Sequence, residues 1–141
     1  LSTPDRGITM ELSVLDTKKK ANTGAFLHLK HPGTGDPLFD NGDQSKPVGL
    51  YIMGKDSDVF AKARHKSMND ALSGKKKSTR TSEQIDLDGI GLLADMTTGW
   101  QNLSLDGNSE FSRDTVAELY SRMAWVREQA NLFIDDRANF I

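Results

Sequence analysis

The sequence predicts an α+β fold, with a small N-terminal antiparallel β-meander packed against a C-terminal bundle of three to four helices. Three observations predict it. Apolar residues alternate with polar ones in the first third of the chain, recur at helical spacing in the rest, and the junctions carry turn and cap residues. The reading is one domain over residues 1–141, with a strand-rich part at 8–53 and a helical part at 57–140. A basic linker at 73–80 interrupts the helical part.

The first predicted strand is Ile8, Met10, Leu12 and Val14, alternating with Thr9, Glu11 and Ser13. A second runs from Ala25 to Lys30, with Ala25, Leu27 and Leu29 on one face and Phe26, His28 and Lys30 on the other. The stretch His31 to Pro37 is rich in turn residues. It leads to the apolar pair Leu38-Phe39 and then to Asp40-Asn41-Gly42-Asp43, whose Asn-Gly is a hairpin signal. Pro47 to Met53 is a third strand, with Val48, Leu50 and Ile52 on one side. A meander with one apolar face needs a helical layer over it.

The helices follow. Asp56 or Ser57 caps a helix reaching about Leu72, with Val59, Phe60, Ala63, Met68, Ala71 and Leu72 near the helical period and Gly74 just past the end. A second starts near Thr81 or Ser82. There Gln84 stands three residues after Thr81 as in a capping box, and Ile85, Leu92, Leu93 and Met96 form the stripe. Gly89 and Gly91 weaken that helix, which points to a kink or a close helix contact. Asp106-Gly107-Asn108 is a turn. Ser112 caps a helix carrying Val116, Leu119, Tyr120 and Met123, and a last stretch carries Trp125, Val126, Ala130, Phe133, Ile134 and Phe140. These two patterns are one helix or two.

Composition removes several function classes. The absence of cysteine excludes disulfide frameworks, cysteine-based zinc sites and thiol nucleophiles, and fits the cytosol. No apolar run approaches the ~20 residues that span a bilayer, and the polar stretch Leu1 to Gly7 lacks a signal-peptide core, so a soluble, unexported protein is expected. Met10 is a candidate internal or original start. Charge is unevenly spread: residues 1–54 hold six basic and six acidic side chains, 55–80 eight and three, and 81–141 four and eleven. The run Lys75-Lys76-Lys77 with Arg80 raises nucleic-acid binding, although its Gly/Ser setting reads as a solvated linker.

No catalytic, cofactor-binding or metal-binding residue is assigned, and no cofactor is expected. His28 and His31 are three apart and point to opposite faces of a continuing strand, which is wrong for shared ligation, and His65 lies on a basic helix. Asp86 and Asp88 are two apart on a helix and do not face each other; Asp135 and Asp136 beside Arg137 read as a wet helix face. Gly33-Thr34-Gly35 lacks the third glycine of a dinucleotide loop, and Gly74 to Ser78 lacks the upstream glycine of a phosphate loop. Trp100, placed at a helix end, and Trp125, at a helix start, are either core packing or interface anchors.

The order Gly24 to Leu38 resembles a group of proteins from long-tailed phages and prophages. So do Leu92-Leu93-Ala94 running into Gly99-Trp100, Leu105-Asp106-Gly107, Phe111-Ser112, Trp125 to Gln129 and Ile134 to Phe140. The group is the tail assembly chaperones, and the resemblance spans about Met10 to Phe140. Two features depart from it: Ala124 stands where the family's last helix opens with proline, and the N-terminal third reads as strands where characterised members are mostly helical.

The resemblance implies a non-catalytic protein that binds the tape-measure protein, assists polymerisation of the tail-tube protein around it, and forms a homo-oligomeric ring or spiral. It implies a place in the host bacterial cytoplasm and absence from the mature virion. The partner-binding residues are not defined by the family's motif. The alternatives are a structural component of the tail or head-tail junction, and third, a small nucleic-acid-binding regulator using Lys75 to Arg80.

Overall fold

A computed structural model describes residues 9–74 and 81–141. The chain is a three-stranded antiparallel sheet backed by helices, in the order α1 (Lys18–Thr23), β1 (Ala25–His28), β2 (Gly49–Ile52), α2 (Asp58–Leu72), α3 (Ser82–Met96), β3 (Thr97–Gln101), α4 (Arg113–Arg122) and α5 (Ala124–Asp135). Short 3₁₀ turns lie at Leu12–Leu15, Asp40–Gly42 and Arg137–Phe140. The α+β class read from the sequence is the observed one.

The sheet order is β1-β2-β3. The expected alternation holds in β1 and β2: Ala25, Leu27, Leu29, Leu50 and Ile52 are buried and face the helices. Gly49 pairs with His28. A Cβ there would sit 2.2 Å from the Leu27 carbonyl oxygen and 2.5 Å from the Phe26 ring, so only glycine lets Phe26 lie across the strand. The Asn-Gly signal is real. Asn41 and Gly42 take φ of 52° and 72°, and the flanking chain closes through a bridge between Phe39 and Pro47.

The N-terminus corrects the sequence reading. Met10 to Val14 is not a strand. Leu12–Leu15 is a 3₁₀ turn and Met10, Leu12, Val14 and Leu15 are exposed, because the alternation is a local signal and no described strand pairs with it. The helix α1 was not expected, since Lys18-Lys19-Lys20-Ala21-Asn22-Thr23 has no apolar period and buries only Ala21. Pro47 to Met53 does hold a strand, β2, but the sheet's remaining strand lies elsewhere than expected. The segment Thr97–Gln101 pairs with β2 and follows α3 without a break, so the meander is completed from inside the part read as helical.

The helix signals fare better. The Ser57 hydroxyl accepts from the Phe60 N–H and Gly74 follows α2 with φ of 74°. Thr81 caps α3 by accepting from the Gln84 N–H, while the Gln84 side chain turns to Asp88 at 3.1 Å instead of closing the box. The helix α3 runs unbroken past Gly89 and Gly91. The close approach there comes from Arg113, which donates to the Gly91 carbonyl and to Asp95. Ser112 and Thr115 form a reciprocal box at the start of α4. Asp106 and Gly107 supply the left-handed turn before it. The last two helical patterns are two helices, separated at Met123, whose φ of −119° and ψ of 89° leave the helical region. The basic linker at 73–80 lies outside the described residues from 75 on.

One apolar cluster joins sheet and helices, with Leu27, Leu29, Leu50 and Ile52 against Ile90, Leu93, Met96, Val116, Leu119, Tyr120, Val126, Ala130 and Ile134. A second holds Ala21, Ala25 and Phe140, with Phe133 edge-on to Phe140 at 5.5 Å. Asp56 fastens this corner. Its carboxylate accepts two hydrogen bonds from Arg137, at 2.7 and 3.0 Å, and one from the Thr17 hydroxyl, joining the chain before α1, the start of α2 and the C-terminal turn.

Those bonds, the one from Arg137 first, hold the Asp56 carboxyl at about 2, below its usual 3.8. A carboxyl lowered in the folded state adds stability above its unfolded value and loses it as pH falls through the folded one. The expected result is an acid loss of stability between about pH 4 and 2 that Asp56→Asn flattens, read from urea melts across that range.

Candidate protein-binding surfaces

Most of the polar residues singled out in the sequence have hydrogen-bond or ion-pair partners within the chain. His28 donates from Nε2 to the Leu38 carbonyl at 2.7 Å and stands edge-on to Phe39 at 4.9 Å, so it fixes the β1–β2 connection. The strand ends there, and His31 sits in the following turn. Its Nδ1 accepts from the Gly33 and Thr34 N–H groups at 2.9 and 3.2 Å, which requires that nitrogen to be unprotonated. His65 is exposed on α2. Asp135 meets Lys55 at 3.3 Å, and Asp136 caps the C-terminal turn through the Ala138 N–H. Among the described residues, no group of three or more His, Asp or Glu side chains could hold a metal ion.

Trp100 is in β3, not at a helix end. Its Nε1–H donates to the Ser109 carbonyl at 2.9 Å and its ring meets Phe111 edge-on at 5.7 Å, which makes it a packing residue under the turn before α4. Trp125 differs. It is half-buried on α5 and lines an open groove of about 500 Å³ with Leu27, His28, Leu132 and Phe133.

The largest departure from ordinary packing is the α2–α3 pair. At its base Val59 and Phe60 pack on the core, and Ala63 and Leu92 face each other across a shallow cleft lined by Lys66 and Asp95. Beyond the base the pair buries nothing. The helix α2 contains no buried residue, and α3 contains none before Ile90. Met68, Ile85 and Leu87 are more than half exposed and Leu72 is 84 % exposed. Met68 and Leu72 are four apart and share one face.

The two helices also differ in sign. The segment 59–69 of α2 carries Lys62, Arg64 and Lys66 with no acid, while α3 carries Glu83, Asp86, Asp88 and Asp95 with no base. The arm therefore combines exposed apolar side chains with cations on one helix and anions on the other. The periodicity located both helices and three of these four apolar residues, leaving out Leu87. It counted Met68, Leu72 and Ile85 as core-facing, because periodicity shows that a helix has an apolar face and not what covers that face.

No family model, characterised protein or solved structure matches this chain. Among the described residues no helix is long and apolar enough to cross a membrane.

Proposed function

We propose that this chain is a non-catalytic phage tail assembly chaperone, which holds the apolar helices of a tape-measure protein against its α2–α3 arm while tail-tube subunits polymerise around them. It acts in the host cytoplasm and leaves before the virion is complete. The resemblance of Gly24 to Leu38, of Trp125 to Gln129 and of Ile134 to Phe140 to that family supplies the client. The observation that carries the binding reading is the arm, with Met68, Leu72, Ile85 and Leu87 each more than half exposed on helices that bury nothing distal to Ala63 and Ile90.

An exposed apolar surface of this kind on a charged protein marks a binding site. An amphipathic client helix laid on it gains about 1.5–3 kcal/mol for each such side chain fully covered. The opposite signs of α2 and α3 set the client's direction, since a wrongly turned charge pattern meets like charge. Helices of this length are marginal without tertiary contacts, so the distal turns gain order when a client covers them.

The test is co-expression with a tape-measure fragment, followed by size exclusion and by analysis of purified particles. Co-elution with the fragment, and absence from particles, is the expected result. No co-elution removes the proposal, and presence in particles at stoichiometric level replaces it with a permanent component of the tail or head-tail junction.

A further inference from the structure

The outer edge of β1 is open. Neighbouring residues in an antiparallel ladder alternate in the direction of their backbone groups. The Leu29 N–H donates to Val48 at 3.0 Å, so the odd-numbered residues turn towards β2, and Phe26, His28 and Lys30 turn their N–H and C=O outward. At Lys30 that outward pair is already met: the Gln129 amide donates to the Lys30 carbonyl and accepts from its N–H, both at 2.9 Å, as an added strand would. At Phe26 and His28 no described group meets it. Alongside this edge lies the groove of about 500 Å³, floored by α5, where Trp125, Leu132 and Phe133 form its apolar wall. An open strand edge beside an apolar groove is the geometry of strand addition.

The same chain carries a segment that matches. In Thr9–Leu15, Met10, Leu12 and Val14 alternate with Glu11 and Ser13, the pattern of a half-buried strand. In its own chain the segment ends in a 3₁₀ turn, held by the Glu11 carboxylate on the Ser13 N–H, and Met10, Leu12 and Val14 are each more than 60 % exposed. None of them lines the groove.

We propose that the groove at the β1 edge takes residues 9–15 of a second copy of this chain as an added strand. Laid along β1, the segment pairs its backbone with the outward groups of Phe26 and His28. Its period of two then puts Met10, Leu12 and Val14 together against Trp125, Leu132 and Phe133, with Glu11 and Ser13 in water. Donor and acceptor surfaces are different patches, so the contact is heterologous and repeats from copy to copy. It is a contact between copies, separate from the client surface on the arm, and does not depend on what the arm holds.

The test is sedimentation velocity of the full chain over a concentration series, for the wild type, Leu12→Asp in the segment and Leu132→Asp in the groove. Both side chains are exposed, so neither substitution disturbs the core, and an unchanged melting temperature checks this. The wild type is expected to self-associate, and each variant to do so about tenfold or more weakly. An equimolar mixture of the two variants is expected to recover a one-to-one pair that grows no further, because each partner keeps one intact half of the contact. A wild type that stays monomeric throughout, or an oligomer insensitive to both substitutions, overturns the proposal.

Discussion

Replacing Tyr120 by alanine is expected to cost about 3–5 kcal/mol of stability, the range for removing a large buried aromatic side chain. That corresponds to a fall of the order of 10 °C or more in Tm. Tyr120 is completely buried in α4, in the cluster that joins the helices to the sheet. Its hydroxyl lies 2.7 Å from the Thr97 hydroxyl, which donates to the Leu93 carbonyl and so accepts from Tyr120. Burial pushes the phenol well above its ordinary value, and the hydrogen bond from tyrosine to threonine keeps the neutral form satisfied. The tie matters because Thr97 is where α3 turns into β3 without a loop.

The two parts of the side chain separate experimentally. Tyr120→Phe keeps the ring and removes only the bond to Thr97, whose own donor is still satisfied by Leu93, so a loss of about 1 kcal/mol is expected. Urea unfolding of both variants checks the pair. Equal losses would show that the hydroxyl, and not the packed ring, carries the stability of this junction.

Where sequence signals were strong and local, they located the elements. Alternation found β1 and β2, and the cap residues Ser57, Thr81 and Ser112 placed three helix starts, with each side-chain oxygen accepting from the N–H three residues on. The turns at Asn41-Gly42 and Asp106-Gly107 were equally legible from residues that tolerate positive φ. Failures came where the deciding contact is distant. Met10 to Val14 alternates like a strand but has no described partner in the chain, whereas Thr97–Gln101, with a glycine and one large apolar residue, becomes a strand because β2 offers it an edge. The β-branched Thr97-Thr98 pair was the signal available for β3.

The candidate surfaces were half legible. Apolar periodicity named Met68, Leu72 and Ile85, and only the structure shows that the arm extends beyond the core and leaves them uncovered. Leu87 falls outside the stripe and was missed for that reason. Trp125 stood even between core and interface in sequence; it packs against the core and also lines the β1 groove, while the bond from Trp100 to Ser109 makes that residue internal packing. The pairing of Gln129 with Lys30, ninety-nine residues away, has no sequence signal at all.

The second large effect concerns the arm. Met68→Gln, Leu72→Gln, Ile85→Gln and Leu87→Gln together keep helix-forming side chains while removing the apolar surface. Because these residues are exposed, the melting temperature should move little. Binding of an apolar client helix should weaken more than about a hundredfold, since covering even half of each original side chain is worth about 1 kcal/mol.

The decisive measurement is light scattering of a tape-measure fragment diluted from denaturant into a molar excess of this chain. The wild type should hold the fragment in solution and the fourfold arm variant, equally folded by circular dichroism, should not. Suppression of scattering by the variant at the wild-type level would contradict the assignment of the α2–α3 arm as the client-binding surface.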